Sequence, residues 1–428
     1  METGKGALRF VTKHTRIADS RLNVVSRIHK AAKLSQLWLQ NNPRGRQLMT
    51  KSETGVNRRS FLKAGTVAGA AALASPAFVS KALASSGELN LLDWSDYWPE
   101  DLLADFTKET GIKVNYVGIG SNEEIINKMK ASNGSGSDII GPTNNRSLQW
   151  GPLGLLQPWD MSRVPIDRAN PAMAKIGPDA WNFDGKGSTW IPHIWGTEGM
   201  AWRTDLWSPA SDDGVPSYGE IWAEENAGKT MIRAHSGMLC AGLYMETIGE
   251  LEPGSVWAAY ESEENMRKTW SKITDWCTAR KGNLKLIWND ADSQKQGLLN
   301  GGVIVGQTWD GPPLALKTAG EPVTYQAPKE GAMAWVDGLA MPKGAENIDE
   351  AYALIDYAYR PEVAGKAIDK HGYNSPILGA DKFAGEAYKK NFAEAYPGDA
   401  LANLNPWPAE APWYADVRTE FVNKFKSA

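Results

Sequence analysis

From residue 85 onward the sequence predicts an α/β protein built on a parallel sheet, and three observations predict it. Residues 88–141 alternate short apolar runs with amphipathic stretches at the spacing of strand, helix, strand, helix, strand. Two later apolar runs, GGVIVGQTWDG (301–311) and GAMAWVDGLAMP (331–342), are bounded by Gly or Pro and read as further strands. The 428 residues, 42% hydrophobic and 22% charged, suit a chain with a sizeable core, divided into two or three domains at roughly 100–200 residues each.

Each element has its own signal. ELNLLDW (88–94) reads as a buried strand. Pro99 stands at a first helical position, DLLADFTKE follows with apolar residues at helical spacing, and Gly111 ends the helix. IKVNYVGI is the next strand, and Ser121 with Glu124 makes a capping box for EEIINKMKA. SGSDIIG (135–141) is a short strand with Pro142 and Thr143 after it. Ligands of parallel sheets gather at the carboxyl ends of strands, where Trp94, Asp96 and Thr143 fall. In the later runs Trp309 precedes Asp310, and Trp335 stands two before Asp337, so that the latter pair shares one strand face. Within LDWSDYW (92–98), Asp93 reads as structural at the strand end and Trp98 as packed beneath the helix that Pro99 begins.

The first 84 residues read as something other than fold. NRRSFLKAGTVAGAAALASPAFVSKALA (57–84) has a basic start with Arg58 and Arg59, a weakly apolar Ala/Gly-rich run and a small-residue end. It resembles a twin-arginine export signal, a receptor-read address and not an anchor, with cleavage expected near Ala84–Ser85. Residues 1–56 form a basic extension, and Met49 is a candidate start. Residues 1–84 hold 15 of the 46 Lys and Arg but 3 of the 50 Asp and Glu, which leaves 31 basic and 47 acidic residues, net −16, in the remainder. That balance argues against nucleic acid or an anionic membrane as partner and is compatible with a cationic ligand. No stretch approaches the ~20 strongly apolar residues of a membrane helix. Cys240 and Cys277 are the only cysteines. They can bridge in an oxidising compartment, and the sequence leaves both states open.

Several chemistries find no support. Gly228-Lys229-Thr230 ends a phosphate-loop pattern, but Ala223 replaces the first glycine, so the segment reads as a turn into a strand. There is no G-x-S-x-G and no H-E-x-x-H. His193, His235 and His371 lie too far apart in sequence for a metal-ligand pattern, and no cofactor is implied. What stands out is tryptophan, with 18 of 19 after residue 84. Most must serve the core. The exceptions are rings paired with aspartates at strand ends. Ring faces attract cations by ~0.5–2 kcal/mol, and an unpaired buried carboxylate costs several kcal/mol. A cationic ligand resolves both.

The segments DWSDYWPEDLLADFTKETGIKVNY, SNEEIINKMK, SDIIGPT, STWIPHIWGTEGMAW, PSYGEIWAEENAGKTM, VIVGQTWDG, PKEGAMAWVDGLAMP and DEAYALIDYAYRPEVAGKAIDKHGYNSP together resemble the periplasmic spermidine/putrescine-binding proteins of bacterial ABC importers. The resemblance implies a type II-like two-lobe fold with the ligand in the interlobe cleft. Residues 85–195 with 336–374 would form one lobe, and 196–335 with 375–428 the other. It implies a monomeric, non-enzymatic protein that closes on its ligand by a hinge motion and presents it to a permease and its ATPase subunits. By position, Trp94, Ser95, Asp96 and Tyr97 match the first cleft-lining segment, and Thr143 stands where the family often has serine. Asp310 matches a carboxylate for an amine, Trp335 with Asp337 a ring-plus-carboxylate pair, and Tyr373 a tyrosine near the last crossing.

The expected ligand is a polyamine of the putrescine or spermidine kind. Asp96, Asp310 and Asp337 would pair with ammonium, Trp94, Tyr97, Trp335 and Tyr373 would line the methylene chain, and Trp309 with Asp310 would form the opposite wall. Three departures stand against this. MIRAHSGM (231–238) offers Arg233, His235 and Ser236 where relatives place acids, Gln307 replaces a frequent Trp, and Glu198 replaces a neutral residue. Arginine suits a carboxylate, so a zwitterionic or other amine is the alternative, and a periplasmic hydrolase is a third reading for which no nucleophile–base set is visible.

Overall fold

The computed structural model describes residues 86–428. The expected extension, export signal and cleavage site lie outside these residues. The chain begins β1 (Glu88–Trp94), α1 (Glu100–Thr110), β2 (Lys113–Ile119), α2 (Asn122–Ala131) and β3 (Ile139–Ile140). Pro99 is the residue before α1, with φ −55°, rather than its first residue, and Gly111 ends the helix in the left-handed region at φ 78°. Only half of the expected capping box forms. Ser121 Oγ accepts from the Glu124 amide at 3.2 Å, but Glu124 Oε2 accepts from the Gly120 amide at 3.3 Å, one residue early.

The later strands are β4 (Trp190–Arg203), β5 (Thr230–Arg233), β6 (Leu284–Trp288), β7 (Val305–Trp309) and β8 (Met333–Pro342). Between them lie α3 (Ala234–Thr247), α4 (Glu263–Ala279), α5 (Ala291–Leu299) and α6 (Gly311–Thr318), followed by α7 (Pro361–His371) and α8 (Pro412–Ser427). The Gly-Lys-Thr segment is a turn into β5, with Gly228 at φ 71°.

The main sheet path runs β2-β1-β3-β8-β4-β7-β5-β6. β1, β2 and β3 are parallel to one another, and so are β5, β6 and β7. Antiparallel β4 and β8 join these two halves. The fourteen-residue β4 is long enough to serve both. Its start pairs with the end of β8, and Glu198–Trp202 pairs with β7. Parallel strands need crossovers, so α1 and α2 serve the first half while α3 and α5 serve the second.

The three points at which the expected division would pass from one lobe to the other lie side by side. Trp195 pairs with Val336 in the β4–β8 register and bridges Asn374. Residues after 374 do not pass to the second half at once. Ile377 bridges Ala169, and the Leu378 amide donates to the Arg168 carbonyl at 2.8 Å. The chain then packs Glu386–Ala395 against α6 and lays α8 on α4 and α3. Trp150, Trp181, Trp190, Trp270 and Trp288 are fully buried core residues. Cys240 and Cys277 are buried free thiols.

Candidate ligand-binding cleft

Where the two halves meet at the carboxyl ends of β1, β3 and β7, the walls enclose about 510 Å³ of space, part of it open to solvent. Strand ends carry the rings there. Trp94 ends β1, and its indole N–H donates to the Gly141 carbonyl at 2.9 Å, which fixes the ring plane. Tyr97 lies in the turn after β1 and is the hub of a cage. It stacks on Trp335 (6.4 Å, 16°), meets Tyr373 edge-on (5.2 Å, 73°) and tilts against Trp94 (6.4 Å, 38°). Trp309 closes the opposite side, edge-on to Trp94 at 5.7 Å.

Asp337 is the carboxylate of this cage. It sits in β8 just before a register shift against β4 and bridges Thr143 across the sheet. Oδ2 accepts from the Tyr97 hydroxyl. Oδ1 is buried and has no hydrogen-bond partner. Burial pushes the Asp337 carboxyl up to about 7, against the pull of the nearby Thr143 hydroxyl, which makes no hydrogen bond to Oδ1, of the Tyr97 hydroxyl on Oδ2, and of Arg233. Thr143 is held by Asn122, whose amide donates to Thr143 Oγ1 at 2.8 Å and accepts from its backbone N–H at 3.0 Å.

Asp93 is structural, as its place at the strand end predicts. It accepts from the Trp94 amide and the Trp98 indole, each at 2.8 Å, and its carboxyl is raised by burial to about 8. Trp98 stacks on His193 at 4.6 Å. Gly141 is required beside Asp93, since a Cβ there would stand 1.7 Å from Asp93 Oδ1.

The far wall is charged. Arg233 ends β5 and is 8% exposed. Its guanidinium lies over Trp309 (4.8 Å) and Trp288 (5.6 Å) and donates from Nη2 to the Gly120 carbonyl at 2.7 Å. Glu198 of β4 borders the same space, and burial raises its carboxyl. Gln307 stands behind both residues. Its Nε2 donates to Glu198 Oε2 at 2.6 Å and its Oε1 accepts from the Arg233 amide at 2.9 Å.

The cleft thus brings together Trp94, Tyr97, Thr143, Trp335, Asp337 and Tyr373, with Glu198, Arg233 and Trp309. Four expected residues lie elsewhere. Ser95 borders an adjoining opening, on the other side of Arg233 and His235. Asp96 accepts from Lys295 of α5 at 2.6 Å. Gln307 is fully buried behind the wall. Asp310 turns away to cap α6, where Oδ1 accepts from the Gly311 amide (3.1 Å) and Oδ2 from Asn374 (3.0 Å) and Tyr396 (2.8 Å). A buried carboxylate needs donors, and the helix start, Asn374 and Tyr396 after the Glu386–Ala395 helix supply them. Asp310 is therefore a strut between β7 and those two residues. Gly196 makes room for it, since a Cβ there would stand 2.6 Å from Asp310 Oδ1 and 2.5 Å from the Trp335 indole.

Other lining residues gave weaker signals. Asn145 and Arg146 follow Thr143 at the same strand end, so the rule that selected Thr143 reaches them too. Glu123 begins α2, and His235 follows Arg233. Trp407 and Glu410 come from the segment before α8, which carries no pattern. Arg146 bonds to Glu410 (2.7 Å) and Glu123 (3.0 Å), and Arg418 of α8 bonds to Glu410 (2.9 Å) and Glu123 (2.5 Å). This square ties Glu123 and Arg146 of the first half to α8 of the second. Lys295–Asp96 and Arg233–Gly120 cross the cleft in the same way.

Two sheet halves joined by shared strands, with a ring-lined, charged cleft at the joint, define a two-lobe solute-binding protein. The chain belongs to the bacterial extracellular solute-binding protein family, which matches residues 101–394. It is similar to the spermidine/putrescine-binding periplasmic protein of Escherichia coli (strain K12), 26% identical over 345 residues that cover 79% of this chain and 91% of the relative. It is also similar to the putrescine-binding periplasmic protein PotF of the same organism, 28% identical over 386 residues, 87% of this chain and 99% of the relative. Among solved structures, the spermidine/putrescine ABC transporter substrate-binding protein PotD of Streptococcus pneumoniae matches with a TM-score of 0.57 at 25% identity, covering 79% of this chain and 98% of that one. No helix among the described residues is long and apolar enough to cross a membrane.

Proposed function

We propose that this chain is the periplasmic binding component of an ABC importer for a small amine, with polyamines such as putrescine and spermidine as the first ligands to test. It is exported with residues 57–84 removed, binds without chemical turnover, closes its lobes on the ligand, and hands the ligand to a permease driven by ATPase subunits. The observation that carries the reading is the partnerless Oδ1 of Asp337, buried inside the Tyr97–Trp335–Tyr373 cage. Such an oxygen costs several kcal/mol, and an ammonium group returns that cost while each ring face adds ~0.5–2 kcal/mol. The ligands for which the relatives are named support an amine, and Trp94 and Trp309 supply an apolar channel for its carbon chain. Asp96 and Asp310, both already bonded, are left out of the ammonium site.

The test is calorimetric titration of protein beginning at Ser85, stripped of ligand by unfolding and refolding, with mono-, di- and triamines. Binding of at least one amine at micromolar or tighter affinity, about 8 kcal/mol, is expected. No heat with any amine, from protein shown to be refolded, would overturn the reading.

A further inference from the structure

The amine site accounts for only one pole of the cleft. On the far wall, Arg146 and Arg418 are balanced pair by pair against Glu123 and Glu410. Arg233 feels the charges of Glu198 and Glu123 but forms no direct ion pair with either. Among the described residues no carboxylate comes within 4.0 Å of it, and its only side-chain hydrogen bond is the one from Nη2 to Gly120. Nε and Nη1 donate to no protein group among the described residues, and the residue, 8% exposed, borders the ligand space. Glu198, the acid nearest in role, is engaged by Gln307. Neighbouring His235 is kept neutral by burial and by Arg233.

A buried guanidinium with free donors on a ligand-facing wall is built for a planar anion, because its fork matches a carboxylate bidentately. A diamine long enough to reach this wall would instead bring a second ammonium toward Arg233. We infer that the ligand is a zwitterion of the ω-amino acid class, with its ammonium end on Asp337 within the rings and its carboxylate on Arg233. This rests on the ammonium site proposed above and names what stands at the other end of the ligand.

The experiment titrates the stripped protein with 4-aminobutanoate, 5-aminopentanoate and 6-aminohexanoate, each beside the diamine of equal chain length. At least one amino acid is expected to bind about tenfold or more tightly than its diamine. Arg233→Met is expected to weaken that amino acid by about 10–100-fold, as for loss of hydrogen bonds to a charged group, and to tighten the diamines, because the like charge facing their second ammonium is removed. Arg233→Lys, which keeps the charge and loses the fork, should fall between parent and Arg233→Met. Thermal melts of both variants verify that they fold. Diamines that bind more tightly than every amino acid, or an Arg233→Met loss equal for both classes, would overturn the inference and leave the amine site standing. Binding of neither class would refute the amine site and this inference with it.

Discussion

Replacing Asp337 by Asn tests the site most directly, because the change keeps the shape and an acceptor for the Tyr97 hydroxyl while removing the charge. In the parent, an ammonium on Oδ1 completes a buried ion pair. Breaking such a pair by removing one partner costs about 3–5 kcal/mol, so Kd should rise by roughly 10²–10³-fold or more at 1.4 kcal/mol per decade. Proton linkage sharpens the test. The free carboxyl lies at about 7 because of burial, and only its ionised form pairs with ammonium. Binding therefore expels a proton below pH 7. Affinity should be level above about pH 8 and about tenfold weaker at pH 6. Calorimetry at pH 6, 7 and 8, in two buffers of different ionisation enthalpy, reads both affinity and proton release. The Asn variant should lose the release along with the affinity. An Asp337→Asn protein that binds as tightly as the parent, or that still expels a proton at pH 6, would refute the assignment of Asp337 as the ammonium partner.

Two further outcomes follow from burial and from the lobe contacts. Asp93, Asp310 and Asp337 are raised to about 8, 7 and 7, so folding takes up protons there, and the resulting stability is lost as pH rises through 7 to 8. His193 and His371, lowered to about 3, and His235, lowered well below 6.5, act oppositely, and their contribution is lost as pH falls below about 6.5. The two sets oppose each other between about 4 and 6.5, so urea unfolding of ligand-free protein should show stability dropping from pH 6.5 to 8.5, by up to ~1.4 kcal/mol per pH unit for each proton; a flat or rising profile would count against neutral buried carboxyls. Lys295→Met removes a part-exposed ion pair across the cleft worth ~0.2–1 kcal/mol, so ligand affinity should weaken by no more than about fivefold, with small-angle scattering showing a more open apo protein; a loss as large as that of Asp337→Asn would place Lys295–Asp96 in the ligand site itself.

The sequence made the first wall legible because it is local. Trp94, Trp335 and Asp337 sit at a strand end or share a strand face, which periodicity marks, while Tyr97, in the turn after β1, was reached through the family resemblance. Asp96 and Asp310 misled for one common reason. A carboxylate at a strand end is as well placed to meet a neighbouring lysine or cap a following helix as to meet a ligand. Only the positions of Lys295, Asn374 and Tyr396, each 60 or more residues away in the chain, decide which. Trp407 and Glu410 were beyond reach, since an irregular segment enters the cleft through Arg418 on the following helix and through the Glu410 amide, which donates to the Asn145 carbonyl at 2.8 Å. Arg233 was visible as a departure from its relatives. Its lack of an acidic partner was not, because that depends on the side chain of Glu198 bonding to Gln307.

β4 and β8 pass through both halves of the sheet without a break, so any opening of the cleft has to flex two continuous ribbons, as a pair of leaf springs flexes, and cannot swing them on a loose joint. Such springs bend readily in one direction and resist sliding and twisting in the others, which would keep the two jaws aligned through the closure proposed above. The β8 irregularity between Asp337 and Gly338 lies one residue from Val336, where that ribbon passes Trp195. The carboxylate proposed to grip the ligand is thus mounted at the flexure itself, and bending the springs would shift it against rings anchored on the first jaw.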